Sequence, residues 1–484
     1  MKKIFIIIVL MNYTLGIAQY SVSEISKDGY LKDFDIAIDI IQKQHPNPYR
    51  FNDQETFKKK VDSLRKEIEK KPTFINFYAN IPNKILGDGH VTFIPDSNYQ
   101  ESFLNSFSLF PIATYIHNGN VFVNGENKYN IEIGSQLLEI NNYSVNYILD
   151  KGGKKADGNI KVENINFSLI ASLRCSNDTG LYTIKYKTLK GEQKVAKLSG
   201  ITYSKFYYED NHSILPMDLI STAYGVYGYR VNSDTYYLSI KSFNYDESTF
   251  YERLSKYFQE IRSIKSKNLI IDIRDNDGGS LSNIPLLYSF ITKHPQINTS
   301  YKYGTKVIDI LYQDYLIDLQ TNRYFSDKDI IDQNNFMRQR FEKDDKADYY
   351  FGNARLDDTY IKNYPRDNLF FDGKVVLIIN NGTFSAAAYF ASLFSREKRG
   401  DLVGKETGSC SNFTTAAWFI NYKLPNTKSI LSIPRSEIFF NENATMASDC
   451  RGVFPTHTIE TKYFIKALTE KKDPELEYSL SLLK

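Results

Sequence analysis

Cysteine is scarce in this chain of 484 residues, which contains Cys175, Cys410 and Cys450 and no others. So few cysteines exclude a disulfide-dense scaffold, and an odd number leaves at least one thiol unpaired in an oxidising compartment. Cys410 and Cys450 both lie in the C-terminal region, where they can form a bridge. The sequence does not supply the geometry that would decide this pairing.

A large charge excess is also missing, since 60 Lys and Arg against 57 Asp and Glu give a formal net charge of +3. The chain has no basic run of the kind that phosphate binding requires, so we expect no nucleic acid partner. After the N-terminus no segment reaches the roughly 18 apolar residues of a membrane helix. The histidines do not have metal-ligand spacing, and we expect neither a metal nor another cofactor.

The N-terminus has the pattern of a secretory signal peptide. Two lysines precede a short apolar run, Ile4 to Met11, and small residues Gly16 and Ala18 precede Gln19. This pattern predicts a signal peptide over residues 1–18, and therefore an exported protein that is periplasmic or secreted. The residue directly after the predicted cleavage site is Gln19 rather than cysteine, so a lipid anchor is not expected.

The remaining length predicts more than one domain, because a single core rarely serves a chain of this size. Residues 19–100 have helical periodicity, with helices predicted over 33–43, 54–70 and 74–86. Residues 105–215 contain short β runs separated by Gly and Asn, which predicts a β-rich domain. Residues 216–484 alternate strands with helices, which is typical of an α/β domain with a mainly parallel sheet. Residues 299–372 interrupt this alternation, and we interpret them as an inserted cap.

Two buried strands of the predicted α/β domain end in sequences that suit catalysis. The strand Asn268–Arg274 leads to Gly278 and Gly279, where the backbone can turn tightly and present N–H groups as an oxyanion hole. The strand Lys374–Ile379 leads to Ser385 and Ala386 at the start of a helix, which suits an exposed nucleophile. Taken alone, the first pattern is more typical of an ordinary strand-to-helix turn, and the second is more typical of an N-cap serine.

A candidate base lies far upstream, in Asp88-Gly89-His90. Imidazole is the side chain best matched to proton transfer near neutral pH, and catalytic groups are assembled in space rather than in sequence order. Taken alone, His90 fits a polar surface turn equally well.

Together, these motifs resemble those of the tail-specific (C-terminal-processing) protease family. The resemblance rests on Arg274-Asp275-Asn276-Asp277-Gly278-Gly279 and on Thr383-Phe384-Ser385-Ala386-Ala387. It continues in Leu402 to Gly408 and in Arg451-Gly452-Val453-Phe454-Pro455, although Thr456 stands where the family has Asp. It implies a layered α/β catalytic domain of the ClpP/crotonase-like kind, a PDZ-like β-rich domain and an N-terminal helical unit. Residues 133–142 resemble the corresponding PDZ stretch, with Gln136 in place of the usual acid.

The resemblance also indicates a branch of the family. Some members use a lysine as base, but this chain has Gly408-Ser409-Cys410 at the matching place. The tricorn-like branch uses a histidine and an acid, which implies His90 as base and Asp449 as the orienting acid. Glu437 and Glu442 lie close in sequence and remain alternatives. The oxyanion donors implied are Gly278 or Gly279, together with Ala386.

The expected function is therefore that of an exported serine endopeptidase with peptide or protein substrates. Ser385 would form an acyl-enzyme with help from His90 and Asp449. A non-catalytic binding protein on the same scaffold is the alternative, since folds host more than one function. Hydrolysis of a substrate other than peptide is a third reading, because the same triad serves esters and amides.

Overall fold

The computed structural model describes residues 25–79, 85–96, 108–150, 156–158, 160, 163, 167–175, 179–202, 225–292, 301–344, 346, 348–356, 369–440 and 450–484. The predicted signal peptide and the candidate acids Asp449 and Glu442 lie outside the described residues.

The helices are α1 (Lys27–Gln44), α2 (Gln54–Lys70), α3 (Phe74–Ala79), α4 (Val145–Asp150), α5 (Phe167–Cys175), α6 (Glu247–Ser263), α7 (Asn283–Ser289), α8 (Asp327–Arg340), α9 (Ala386–Arg396), α10 (Thr461–Thr469) and α11 (Pro474–Leu482). The strands are β1 (Thr92–Ile94), β2 (Thr114–His117), β3 (Asn120–Val123), β4 (Gln136–Ile140), β5 (Tyr143–Ser144), β6 (Leu181–Lys187), β7 (Gln193–Ser199), β8 (Val226–Arg230), β9 (Thr235–Ile240), β10 (Asn268–Asp272), β11 (Lys302–Thr305), β12 (Ile317–Asp318), β13 (Arg323–Tyr324), β14 (Phe341–Asp344), β15 (Tyr349–Gly352), β16 (Lys374–Ile379), β17 (Asp401–Gly404), β18 (Phe413–Ala416), β19 (Ile420–Lys423), β20 (Ile430–Ile433) and β21 (Ser436–Phe439).

The N-terminal helices begin at side-chain caps. Ser26 accepts a hydrogen bond from Gly29 N at the start of α1, and Asp53 accepts one from Thr56 N at the start of α2. The third helix, predicted over 74–86, is described over Phe74–Ala79 as α3, and Leu86 lies in a turn rather than in a helix.

The apolar faces of these helices pack against a small sheet in which β1 pairs with β20 and β20 with β19. The segment that carries Asp88 and His90 runs directly into β1. The histidine motif is therefore held between the helical unit and strands from the C-terminal part of the chain.

The β-rich unit is an antiparallel sheet in the order β2-β3-β4-β6-β7. Its core is separate from the others and includes Phe110, Ile140, Ile148, Ala171 and Tyr182. The predicted strand over 136–140 has the observed bounds. The PDZ-like assignment of this unit stays a prediction.

The central sheet has the order β17-β16-β10-β9-β8, with β9, β10, β16 and β17 parallel and β8 antiparallel. Residues on the two faces alternate: Leu269 and Ile271 pack in the core that contains α6, α7 and α9, whereas Ile270 faces α10 and α11. The loops after β10 and β16 leave neighbouring parallel strands at the same edge. This edge is where open α/β sheets bind ligands.

The insertion over 299–372 is not a detached cap. Its strands β11, β15 and β14 form one antiparallel sheet with β21 and β18, in the order β14-β15-β11-β21-β18. The predicted α/β fold class, with its additional helical and β-rich units, is confirmed. Among the helices that the structure describes, none is long and apolar enough to cross a bilayer.

Candidate active site

The histidine motif is organised by Asp88. The Asp88 Oδ1 atom accepts a hydrogen bond from His90 N at 2.7 Å, and Oδ2 lies 2.7 Å from His45 Nε2. Asn47 N donates to His45 Nδ1, so the His45 proton lies on Nε2 and is donated to Asp88. The sequence analysis did not find this role of His45, because only the three-dimensional structure brings the end of α1 to Asp88.

The His90 ring lies against the residue before the candidate nucleophile. Its centroid is 4.5 Å from that of Phe384 and 6.4 Å from that of Phe419, and Thr414 Oγ1 is 3.4 Å from Nδ1. A Cβ atom at Gly89 would lie 2.6 Å from Phe384 Cζ, so glycine allows this close approach. The Asp-Gly-His motif and the Ser385 loop are therefore in direct contact.

Ser385 sits on a strained turn between β16 and α9, with φ 55° and ψ −126°. A non-glycine residue with positive φ is costly, and such strain is concentrated at functional sites. Ser385 N donates to Ser409 Oγ at 3.0 Å, and Tyr389 N donates to Ser385 O at 3.0 Å. The sequence allowed either a nucleophile turn or an N-cap; Ser385 makes no side-chain cap hydrogen bond.

The loops after β10 and β16 are joined by hydrogen bonds. Thr383 Oγ1 donates to Ile273 O at 3.0 Å, and Phe384 N donates to Asn276 O at 2.9 Å. These bonds fix the glycine pair next to the serine.

The two predicted oxyanion glycines differ in their hydrogen bonding. Gly278 has φ +98°, and a Cβ atom there would lie 2.7 Å from Ser385 Cβ and 2.8 Å from Ala386 N. Its N–H donates to Asn276 Oδ1 at 2.8 Å. Among the described residues, no acceptor engages the N–H of Gly279 or of Ala386. These two N–H groups are therefore the candidates for oxyanion donors, whereas Gly278 allows close approach of the two loops.

Ser385 and His90 line the same cavity, which has a volume of about 910 Å³. Gly279 from the glycine pair lies in its wall, and the insertion contributes Tyr303, Phe336 and Arg340. The structure thus brings the predicted nucleophile, base and oxyanion loop to one space large enough for a peptide segment.

An aromatic wall flanks His90 in this cavity. Trp418 lies 4.8 Å from Tyr303 and 5.4 Å from Phe336, measured between ring centroids. The neighbouring Phe419 is 45% exposed. Ala417 and Trp418 both have positive φ, so the backbone here is strained to present these rings.

The structure assigns Glu437 to an ion pair rather than to His90. Its buried carboxylate lies 2.6 Å from Arg50 Nε and 2.7 Å from Arg50 Nη2, and it also accepts a short hydrogen bond from Tyr349. The next residue, Ile438, lines the cavity, so Glu437 projects from the other face of β21. Of the candidate acids, Glu437 alone is described, and its carboxylate is occupied elsewhere.

A carboxylate that the sequence analysis did not select, Asp157, lies near His90. Asp157 Oδ1 accepts from Gly89 N at 3.1 Å, and Oδ2 accepts from Cys410 N at 3.3 Å. Burial, and then the neighbouring Asp88 carboxylate, raises the pKa of Asp157 to about 7. In the sequence this residue is part of an ordinary Asp-Gly turn, and nothing there indicated its place.

Asp88, His90 and Asp157 could together hold a metal ion, since their ligand atoms lie within 4.8 Å of one another. Both carboxylates already accept hydrogen bonds from N–H donors, so we assign the cluster to positioning of the histidine segment.

Cys410 and Cys450 form a disulfide with their Cα atoms 5.0 Å apart, which answers the question that the sequence left open. Cys175 is a buried free thiol. The disulfide joins the loop that contains Ser409 to the segment before Gly452.

Comparisons with known proteins indicate a family and a fold. Residues 234–458 match the model described as peptidase family S41. A comparison with curated proteins gives no match. The crystal structure of mature CPAF is similar, with a TM-score of 0.58 and 14% identity, over 94% of this chain and 96% of that chain. Mature CPAF complexed with lactacystin gives a TM-score of 0.58 and 15% identity, over 94% of this chain and 97% of that chain. At these identities the structural likeness shows a shared fold and no more.

Proposed function

We propose that this chain, which belongs to peptidase family S41 and is a serine peptidase, is an exported endopeptidase that acts through Ser385 and His90. Membership of this family confirms the resemblance to the tail-specific proteases. The observation that supports the proposal most is that Ser385, on its strained turn, and His90 line one cavity.

In the proposed reaction Ser385 Oγ attacks the carbonyl carbon of the scissile peptide bond while His90 accepts its proton. The N–H groups of Gly279 and Ala386 stabilise the oxyanion. The C–N bond then breaks, and His90 returns the proton to the departing amine. Water, activated by His90, hydrolyses the acyl-enzyme and restores Ser385. We propose Asp449 as the acid that orients His90.

The first test is labelling of the purified mature protein with a fluorophosphonate probe, followed by peptide mapping. We expect one label, on Ser385, and its loss in Ser385→Ala. In His90→Ala labelling should slow by about 100-fold or more, because the general base is missing. Ser395→Ala, an exposed serine of α9, is the matched control and should label like the wild type.

If the folded wild type does not label, the catalytic proposal fails, and binding of peptides without cleavage becomes the function to test. Export is tested separately by N-terminal sequencing of protein recovered outside the cytoplasm. We expect the mature chain to begin at Gln19, and an unprocessed N-terminus would contradict export through this signal.

A further inference from the structure

Asp157 comes from the β-rich unit but is buried between the two catalytic segments. Its backbone N–H donates to Gly408 O at 2.9 Å, and its carboxylate accepts from Gly89 N and Cys410 N. Ser409 is the residue between Gly408 and Cys410, so Asp157 bonds to both of its neighbours. One side chain thus bonds to both the segment before His90 and the loop after β17.

The loop after β17 connects Asp157 to the nucleophile. Asp157 bonds to Gly408 and Cys410, and the hydroxyl of Ser409, which lies between them, accepts from Ser385 N at 3.0 Å. On the other side, Gly89 is the residue directly before His90. Asp157 therefore bonds directly to the histidine segment and to the loop whose Ser409 hydroxyl holds the backbone of Ser385.

We propose that Asp157 is a positioning residue of the catalytic centre, which fixes His90 and Ser385 relative to each other from the β-rich unit. The inference rests on the proposed roles of Ser385 and His90. It adds a carboxylate that acts through backbone N–H donors and does not touch substrate. A displacement of about 1 Å between catalytic groups lowers rates by roughly 100-fold, so such a link has a measurable effect.

The protonation state of Asp157 provides a specific readout. Both carboxylate oxygens face N–H donors, so a proton on either oxygen removes one of these hydrogen bonds. Among the described residues, the titratable groups that face Asp157 are Asp88 and His90, with His45 behind Asp88. From the loop after β17, Cys410 is disulfide-bonded and does not titrate. Burial, followed by Asp88, raises the pKa of Asp157 to about 7, so the link changes near neutral pH.

The experiment measures the second-order rate of fluorophosphonate labelling at Ser385 as a function of pH, in wild type and Asp157→Asn. The amide resembles the protonated carboxyl, so the two proteins should label at similar rates well below pH 7. Above pH 7 the variant should be about 10- to 100-fold slower. The readout is the ratio of the two labelling rates as a function of pH.

Two further variants and a control complete the test. Asp157→Glu keeps the charge and should recover part of the rate above pH 7, whereas Ser409→Ala breaks the link to Ser385 and should label slowly at every pH. Asp150→Asn changes an exposed aspartate of the same unit and should behave like the wild type. If Asp157→Asn does not fold, the labelling rates of Asp157→Glu and Ser409→Ala decide the question.

The inference is overturned if the wild type labels at Ser385 and the Asp157→Asn variant labels at the same rate, or at a rate lower by the same factor at every pH. That result would leave the proposed function intact. A folded wild type that does not label contradicts the proposed function itself.

Discussion

At the residue scale, Gly278 illustrates how closely the oxyanion loop approaches the nucleophile. We expect Gly278→Ala to lower the labelling rate of Ser385 by about 100-fold, because the new methyl group would overlap Ser385 Cβ and displace it. Gly119→Ala is the matched control, since Gly119 also has positive φ but nothing lies within 4 Å of its added Cβ. Equal rates in both variants would show that contact with Ser385 is unimportant.

The ion pair between Arg50 and Glu437 predicts that substitution of Glu437 lowers the stability of the protein and leaves the labelling of Ser385 unchanged. Glu437→Gln leaves the buried Arg50 guanidinium without its charged partner, and we expect a loss of about 3–5 kcal/mol in the free energy of unfolding. Asp35→Asn, which breaks the exposed Arg65 pair, should cost at most about 1 kcal/mol. Urea unfolding measures both.

The same Glu437→Gln variant bears on the choice of acid. Its folded fraction should label at Ser385 within about twofold of the wild type, whereas Asp449→Asn should label much more slowly. The opposite result would make Glu437 the acid.

Asp157 also predicts how stability depends on pH. Its pKa of about 7 in the native protein exceeds the unfolded value of about 3.9, so the native state binds more protons between these values. The contribution of the Asp157 carboxyl to the free energy of unfolding is therefore largest below about pH 4, and it is lost as the pH rises to about 7. The unfolding free energy of wild type minus that of Asp157→Asn should decrease by roughly 2–3 kcal/mol between pH 5 and pH 8. A constant difference would contradict the raised pKa.

At the element scale, the sequence predicted the parts of the fold with strong local patterns. The bounds of α2, β4 and β16 are as predicted, because amphipathic periodicity and buried apolar runs dictate them locally. The start of α1 was placed at Asp33 although the helix begins at Lys27, because Gly29 interrupts the helical pattern in the sequence.

The site was predictable only in part, for a physical reason. Ser385, His90 and the glycine pair lie at strand ends or in short motifs that are visible in the chain itself. Asp157, His45 and Ser409 act through hydrogen bonds between distant segments, and their types are common in turns and loops. No local pattern distinguishes them from surface residues.

The disulfide stabilises the two C-terminal segments around the site. It closes a loop with a sequence separation of 40 residues. Because the bridge restricts the unfolded chain, we expect it to add about 2–4 kcal/mol to the free energy of unfolding. Reduction should lower the melting temperature of the wild type and of Cys175→Ser equally, and should leave a Cys410→Ser/Cys450→Ser variant unchanged. Thermal unfolding with and without reductant measures this, and no shift in the wild type would contradict the expectation.

At the scale of the whole molecule, the site is assembled from every unit. The helical unit supplies His90, the β-rich unit supplies Asp157, and the α/β domain supplies Ser385. The insertion lines the cavity and shares a sheet with β21 and β18, so its deletion would also expose strand edges.

Substitution therefore tests the insertion better than deletion. Phe336→Ala should raise KM for peptide substrates several-fold, because it removes a wall of the cavity, while labelling by a small fluorophosphonate stays unchanged. Ile331→Ala, an exposed residue of the same helix, is the control. Equal effects on peptide and probe would mean that Phe336 acts on the chemistry itself.

The aromatic wall has a spectroscopic consequence. Trp418 is the single tryptophan of the chain and lies in the wall of the cavity that His90 also lines. When the indole ring is excited selectively, the fluorescence of the protein therefore comes from Trp418. Any molecule that enters the cavity and displaces water from Trp418 changes the emission of the whole protein, so ligands can be found by titration without a label and before any cleavable substrate is known.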